Sequence, residues 1–222
     1  MTRLTIVGAT GGIGGHLVQQ ALSAGHDVVA AVRSPEKLEG RVPVVRVDLA
    51  DLDPERLEAS IEGSDAVLSA LGPRERGEWG ILEVGTRAIV EAMTRLGLRR
   101  LLVVSGAGVS VVPTPSRPDP PRREPGAGFV NRYINTPLAR RLLGEHFVDV
   151  AMMEHVLRES DLDWTAVRGP LLLDRPLSGD YRTAFERNVR NGFRIGRADV
   201  VHFMLAALDR PETYGLAIAV AY

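Results

Sequence analysis

The sequence of 222 residues is 45% hydrophobic, enough to bury a substantial core without metals or cross-links. It contains no cysteine, which excludes disulfides, thiolate nucleophiles and cysteine-held zinc or iron–sulfur centres. Acidic and basic residues number 28 and 27 and are interspersed, so no basic face suits nucleic acid or anionic lipid, and a small-molecule partner is favoured.

The apolar stretch after Met1 is broken at once by glycines, and no later run reaches the length of a membrane span. A cytoplasmic protein without membrane contact, monomeric or a small homo-oligomer, is the expectation. Leu4 to Val7 reads as a strand ending at Gly8, and Ile13, Leu17, Val18, Ala21 and Leu22 then recur at helical spacing up to Gly25. Asp27 to Val32 is an apolar run of buried-strand length followed by the turn Arg33-Ser34-Pro35. Val42 to Val47 reads as a third strand. Asp53 is a helix N-cap with proline at the first helical position, opening a helix through Ile61. Ala66 to Leu71 is strand four, Trp79 to Leu96 a helix ended by Gly97, and Arg100 to Val104 strand five, closing on Ser105-Gly106.

Between residues 111 and 128 the composition changes to prolines, charges and glycine, which predicts a loop and a candidate lid. A helix over Val148 to Glu159 leads into the strand Trp164 to Val167. An irregular substrate-side excursion then covers 169–197, a helix follows Asp199 as N-cap, and Leu216 to Val220 is the last strand. Strands alternating with helices predict one α/β domain over 1–222. Its core is a doubly wound parallel sheet with helices on both faces and a small irregular C-terminal substrate region.

The turn Gly8-Ala9-Thr10-Gly11-Gly12-Ile13-Gly14 lies between the first strand and the first helix. Glycines there let backbone approach a diphosphate without Cβ clashes, and helix N-terminal amides face its charge. Gly8, Thr10, Gly11, Gly12 and Ile13 are therefore expected to bind a dinucleotide in a Rossmann-type fold. At the end of the second strand an acidic residue would hold the ribose 2′-hydroxyl of NAD, and this chain has Arg33 and Ser34 instead. A guanidinium and a hydroxyl suit a 2′-phosphate, which favours NADPH over NADH. Asp48 and Leu49 are placed to meet the adenine, although capping the following turn is an equally ordinary role for Asp48. Ala70, Leu71 and Gly72 would pass close to the ribose and diphosphate.

With these motifs on the page, the chain resembles the atypical short-chain dehydrogenase/reductase group of NAD(P)H-binding, NmrA-like proteins, and most of all its biliverdin-IXβ reductase/flavin reductase branch. The likeness rests on the glycine turn, Val32-Arg33-Ser34, Asp48-Leu49, Val104-Ser105-Gly106, Leu157-Arg158-Glu159-Ser160, Asp163-Trp164-Thr165, Arg168-Gly169-Pro170 and Ala198-Asp199-Val200. It implies a Rossmann fold and a nicotinamide end bordered by Ser105, Gly106, Gly169 and Pro170. After that proline the branch carries a histidine, where this chain has Leu171.

Tyrosine-dependent dehydrogenases of the wider superfamily use Tyr-x-x-x-Lys, in which the ammonium lowers the phenol's pKa. Lys37 is the single lysine here, and Tyr133, Tyr181 and Tyr214 are followed four residues later by Pro137, Phe185 and Ile218. What remains is hydride transfer to a flavin-like or quinone-like acceptor, with Ser105 as the catalytic candidate and Arg168 and Leu171 facing substrate. His16, His146, His155 and His202 lack metalloprotease spacing, and no metal is expected. Two other readings keep the fold: a non-catalytic NADP(H) sensor, and a biosynthetic enzyme for a specialised metabolite.

Overall fold

The computed structural model describes residues 1–38, 40–73, 79–126 and 144–222. In chain order the elements are β1 (Arg3–Val7), α1 (Gly12–Ser23), β2 (Asp27–Val32), β3 (Val44–Arg46), α2 (Pro54–Ile61), β4 (Ala66–Ser69), α3 (Ile81–Arg95), β5 (Arg100–Gly106) and α4 (Gly144–Arg158). Then come β6 (Asp163–Gly169), β7 (Leu171–Leu173), β8 (Arg182–Phe185), β9 (Arg194–Gly196), α5 (Arg197–Ala206) and β10 (Leu216–Ala221).

Among the described residues eight strands form one sheet in the order β3-β2-β1-β4-β5-β6-β10-β8, parallel except where β8 runs antiparallel to β10. Every residue of β4 is buried, as a strand covered on both faces requires. α1 and α5 cover one face, where Leu17, Val18, Phe203 and Met204 pack with Leu4, Ile6, Val28 and Val167. α2, α3 and α4 cover the other, where Ile61, Ile89, Met93 and Met153 meet Val7, Val67, Leu101 and Ala166. The order reverses between β1 and β4: β2 and β3 extend the sheet to one side, β5 and β6 to the other. A crevice opens outside the strand ends at such a switch point.

The predicted starts and stops hold where a local signal sets them. Asp53 caps α2, its Oδ1 accepting from the backbone N–H of Arg56 at 3.2 Å, with Pro54 at the first helical position. α3 begins at Ile81, two residues later than the pattern predicts, because Gly80 precedes it at φ +89°. Its first turn is capped from α4: the Asp149 carboxylate accepts from the N–H of Leu82 at 3.3 Å and of Glu83 at 3.0 Å.

Two expectations need correction. Asp199 is not the N-cap of α5, which starts at Arg197 after Gly196. The Asp199 carboxylate is buried and accepts from Ser178 N–H (3.0 Å), Gly179 N–H (2.8 Å) and the Tyr222 hydroxyl (2.6 Å). The stretch 169–197 is more regular than predicted: β7 and β9 pair in a small parallel sheet, and β8 joins the main sheet beside β10. The proline-rich segment, of which residues 127 and 128 lie outside the described residues, is a loop as expected, and its described part is anchored. Glu124 within it is buried and accepts from Val111 N–H at 3.3 Å and Asn188 Nδ2 at 3.1 Å, and Ser116 Oγ lies 2.9 Å from His155 Nδ1 on α4. Burial pushes the Glu124 carboxyl up.

Among the described residues no helix is long and apolar enough to cross a membrane.

Candidate functional site

A cleft of 1240 Å³ runs over the C-terminal ends of the strands, from the glycine turn across β4 and β5 to the β6–β7 corner. A pocket for one drug-sized ligand is typically about 300–1,000 Å³. This cleft has room for a dinucleotide and a second molecule.

At one end the glycine turn is built by close packing. Gly8 has φ +77°, and a Cβ there would lie 2.8 Å from the Ala70 carbonyl oxygen. A Cβ on Gly14 would lie 2.2 Å from the Gly8 carbonyl oxygen, so only glycine lets α1 start this close to β1. Gly11, the N-cap of α1, has no side chain to cap its first turn, and no acidic residue sits in that turn. Its amides and the positive end of the helix dipole are left for an anion. That arrangement fits a dinucleotide diphosphate. Gly8, Thr10, Gly11, Gly12 and Ile13 line the cleft, as do Arg33, Asp48, Leu49, Ala70, Leu71 and Gly72.

Ser34 is an exception, since it follows Arg33 without lining the cleft and precedes the short turn at Pro35. Asp48 also caps its own turn, accepting from Ala50 N–H at 3.1 Å. Leu49 and Leu71 sit under α3 where Gly85 brings the helix close. A Cβ on Gly85 would meet each leucine at 3.0 Å.

At the other end Ser105, Gly106, Gly169, Pro170 and Leu171 line the cleft, Ser105 paired in register with Arg168 and Gly106 with Gly169. Leu171 is 65% exposed. The expectation that Arg168 faces substrate is not met. Its side chain is 1% exposed, does not line the cleft, and is paired with Glu154 of α4. Arg168 Nε donates to Glu154 Oε1 at 2.7 Å, its Nη2 to Oε2, and its Nη1 to Ser110 Oγ at 2.9 Å. A guanidinium taken this far out of water must spend its donors on a buried counter-charge.

Burial alone would raise the Glu154 carboxyl, but the Arg168 charge and the hydrogen bonds from Arg168 and Ser105 outweigh it and hold the group below its ordinary value. The Ser105 hydroxyl donates to Glu154 Oε1 at 2.7 Å. Its one proton is committed to a carboxylate, so its oxygen can meet a ligand as an acceptor and not as an acid.

The model of the NAD(P)H-binding family matches residues 8–211, from the first glycine of the turn to the segment before β10. The chain belongs to the NAD(P)H-binding family. This agrees with the resemblance to NAD(P)H-binding, NmrA-like short-chain dehydrogenase/reductases, and the fold is of the Rossmann type. The protein is 27% identical over 219 residues to the uncharacterized protein YwnB of Bacillus subtilis (strain 168), covering 95% of this chain and 93% of that one. It is similar in structure to a wide-type short-chain dehydrogenase/reductase from Veillonella parvula DSM 2008, solved in complex with NADP: TM-score 0.76, 23% identity, 100% of this chain and 94% of the other. A further likeness is to ChuY, an anaerobilin reductase from Escherichia coli O157:H7: TM-score 0.75, 20% identity, 99% of this chain and 97% of the other. At these identities the two structures share the fold.

In this family member the cleft also has walls that sequence reasoning missed. Trp79, His146 and Phe147 line it, with ring centroids 6.0 Å apart for Trp79–His146 and 6.4 Å for His146–Phe147. Burial pushes the His146 imidazole down, and its Nδ1 has no hydrogen-bond partner among the described residues. Phe193 and Leu172 line the same end, and Arg197 lines the glycine end. The signal available was an aromatic just past Gly72 and two more at the start of a helix. It becomes legible only once α4 is seen to begin at Gly144. The described part of the proline-rich segment, residues 111–126, contributes nothing to the cleft lining, against its expected role as a lid.

Proposed function

We propose that the protein is an NADPH-dependent oxidoreductase that reduces a planar, flavin-like or quinone-like acceptor. One observation carries this reading: a single cleft is lined both by the glycine turn, whose helix amides suit an anion, and by the apolar side chains of Trp79, Phe147, Leu171 and Phe193. Bound there, the dihydronicotinamide ring supplies a hydride, and the acceptor takes that hydride and one proton.

The chain's part is binding and orientation. Arg33 reads the 2′-phosphate, a role for which a guanidinium is suited. Asp48 and Leu49 border the adenine, and Ala70, Leu71 and Gly72 the ribose. Ser105, its proton held by Glu154, would offer its oxygen as an acceptor to the carboxamide N–H₂ of the bound cofactor. Gly106, Gly169 and Pro170 form the floor, and Leu171 gives the acceptor an apolar contact where a histidine would give a proton.

The test is loss of dihydronicotinamide absorbance on mixing purified protein and NADPH with a panel of flavins and quinones. Acceptor-dependent loss supports the reading. Tight NADPH binding with no turnover on any acceptor would refute it in favour of a cofactor sensor.

A further inference from the structure

We propose that Arg197 is a second cationic arm of the diphosphate site, and that Asp174 holds it in the free protein until the diphosphate takes the carboxylate's place. The inference rests on the dinucleotide reading above and assigns a residue to it that no glycine motif contains.

Arg197 is the first residue of α5, which packs alongside α1, and Gln20 Nε2 of α1 donates to the Ala198 carbonyl at 2.9 Å. Its side chain reaches back across the start of α1. A Cβ on Gly12 would lie 3.1 Å from Arg197 Nε and 3.2 Å from Cδ, and the three side-chain atoms nearest that point all belong to Arg197. Gly12 therefore keeps open a space that the arginine occupies. A guanidinium beside the positive end of a helix is repelled unless an anion offsets its charge. In the free chain that anion is Asp174, whose Oδ1 lies 2.5 Å from Arg197 Nη1.

The two members of this pair differ. Arg197 is 27% exposed and lines the cleft, whereas Asp174 is 85% exposed and does not. An ion pair with its acid in water is weak, and a diphosphate offers the same arginine two oxygens and the helix amides besides.

The backbone on both sides is fixed by one buried group. Asp199, two residues after Arg197, accepts from Ser178 and Gly179, which follow Asp174 in the chain. It also accepts from Tyr222, whose hydroxyl accepts from Gly196 N–H at 2.9 Å. Exchange of Asp174 for diphosphate thus needs only a swing of two side chains.

The test is the dissociation constant of NADPH, of NADH and of 2′-phosphoadenosine, which lacks the diphosphate, measured by calorimetry on wild type, Arg197→Ala and Asp174→Ala. Arg197→Ala is expected to weaken NADPH and NADH alike, by roughly 10- to 100-fold, the range for a hydrogen bond to a charged group. It should leave 2′-phosphoadenosine unchanged. Asp174→Ala removes the competing carboxylate and is expected to tighten both dinucleotides several-fold, the opposite sign. Unchanged dinucleotide affinity in Arg197→Ala, or a loss in Asp174→Ala that matches it, overturns the inference while leaving the dinucleotide reading intact. Wild type that binds neither dinucleotide overturns both.

Discussion

Replacing Glu154 by glutamine changes one oxygen to nitrogen at the centre of the buried network and leaves the volume alone. The Arg168 guanidinium, 1% exposed, then loses its hydrogen-bonded counter-charge and keeps only the weaker attraction of Glu186 and Glu124, and the new amide N–H₂ must face one of the Arg168 or Ser105 donors. Removing one partner of a buried pair costs about 3–5 kcal/mol. For a chain of this length that corresponds to a fall in melting temperature of roughly 6–20 °C. Calorimetric or circular-dichroism melts of wild type and Glu154→Gln measure it directly.

The pH dependence has a fixed sign. Because the folded Glu154 carboxyl is held below its ordinary value, its contribution is complete above the unfolded pKa of about 4.3 and is lost as pH falls through the folded one. The gap between the two melts should be constant around neutrality and narrow in acid. The double replacement Glu154→Leu with Arg168→Leu removes both charges, and should be less destabilised than Glu154→Gln alone. A Glu154→Gln melt within about 1 kcal/mol of wild type, or a gap that widens in acid, would sink the argument that this pair is ionised and structural.

Arg33→Asp should weaken NADPH by at least roughly 10-fold while changing NADH much less, from the range for hydrogen bonds to charged groups; equal losses for the two in fluorescence titrations would remove the 2′-phosphate role. Gly14→Ala places a Cβ 2.2 Å from the Gly8 carbonyl oxygen and 2.6 Å from Ala9 Cα, so α1 must shift. The expected cost is about 1–3 kcal/mol with loss of nucleotide binding, and wild-type stability with wild-type binding would contradict it. Ser105→Ala should reduce turnover more than NADPH affinity, read as a kcat loss exceeding the change in Kd. Unchanged kinetics would return Ser105 to a purely structural part.

The sequence was most legible where one local rule decides an outcome. The glycine turn, the buried runs of β1, β2 and β4, and the Asp53-Pro54 start of α2 each follow from neighbours a few residues apart. Arg168 misled because a guanidinium at a strand end suits a ligand as well as it suits a buried acid. The partner that decides, Glu154, sits 14 positions away on the face of α4 turned to the sheet. Asp199 misled in the same way: an aspartate near a helix start is ordinarily a cap, yet its partners come from 20 to 23 residues away. β8 was hidden because a four-residue strand between arginines carries no alternation, and only its pairing with β10 makes it one. The cleft's aromatic wall was hidden because it is assembled from the β4–α3 connection and the first turn of α4, two places with no shared pattern in the chain.

Charge is segregated along this cleft, and that bears on where the acceptor's proton comes from under the proposed reaction. The glycine end presents Arg33, Arg197 and the open end of α1. At the other end the strongest charges, Arg168 and Glu154, neutralise each other out of contact with the cleft, and the Ser105 proton points into that pair. His146, the titratable side chain among the aromatic rings, is pushed by burial toward its neutral form. Neutral imidazole is a poor acid at ordinary pH, and Leu171 supplies no replacement. An acceptor that had to be protonated before accepting hydride would gain nothing from such walls. One that accepts hydride first and then takes its proton from water at the open mouth would be served by flat apolar contacts alone, which is the chemistry of a flavin or a quinone rather than of a simple ketone.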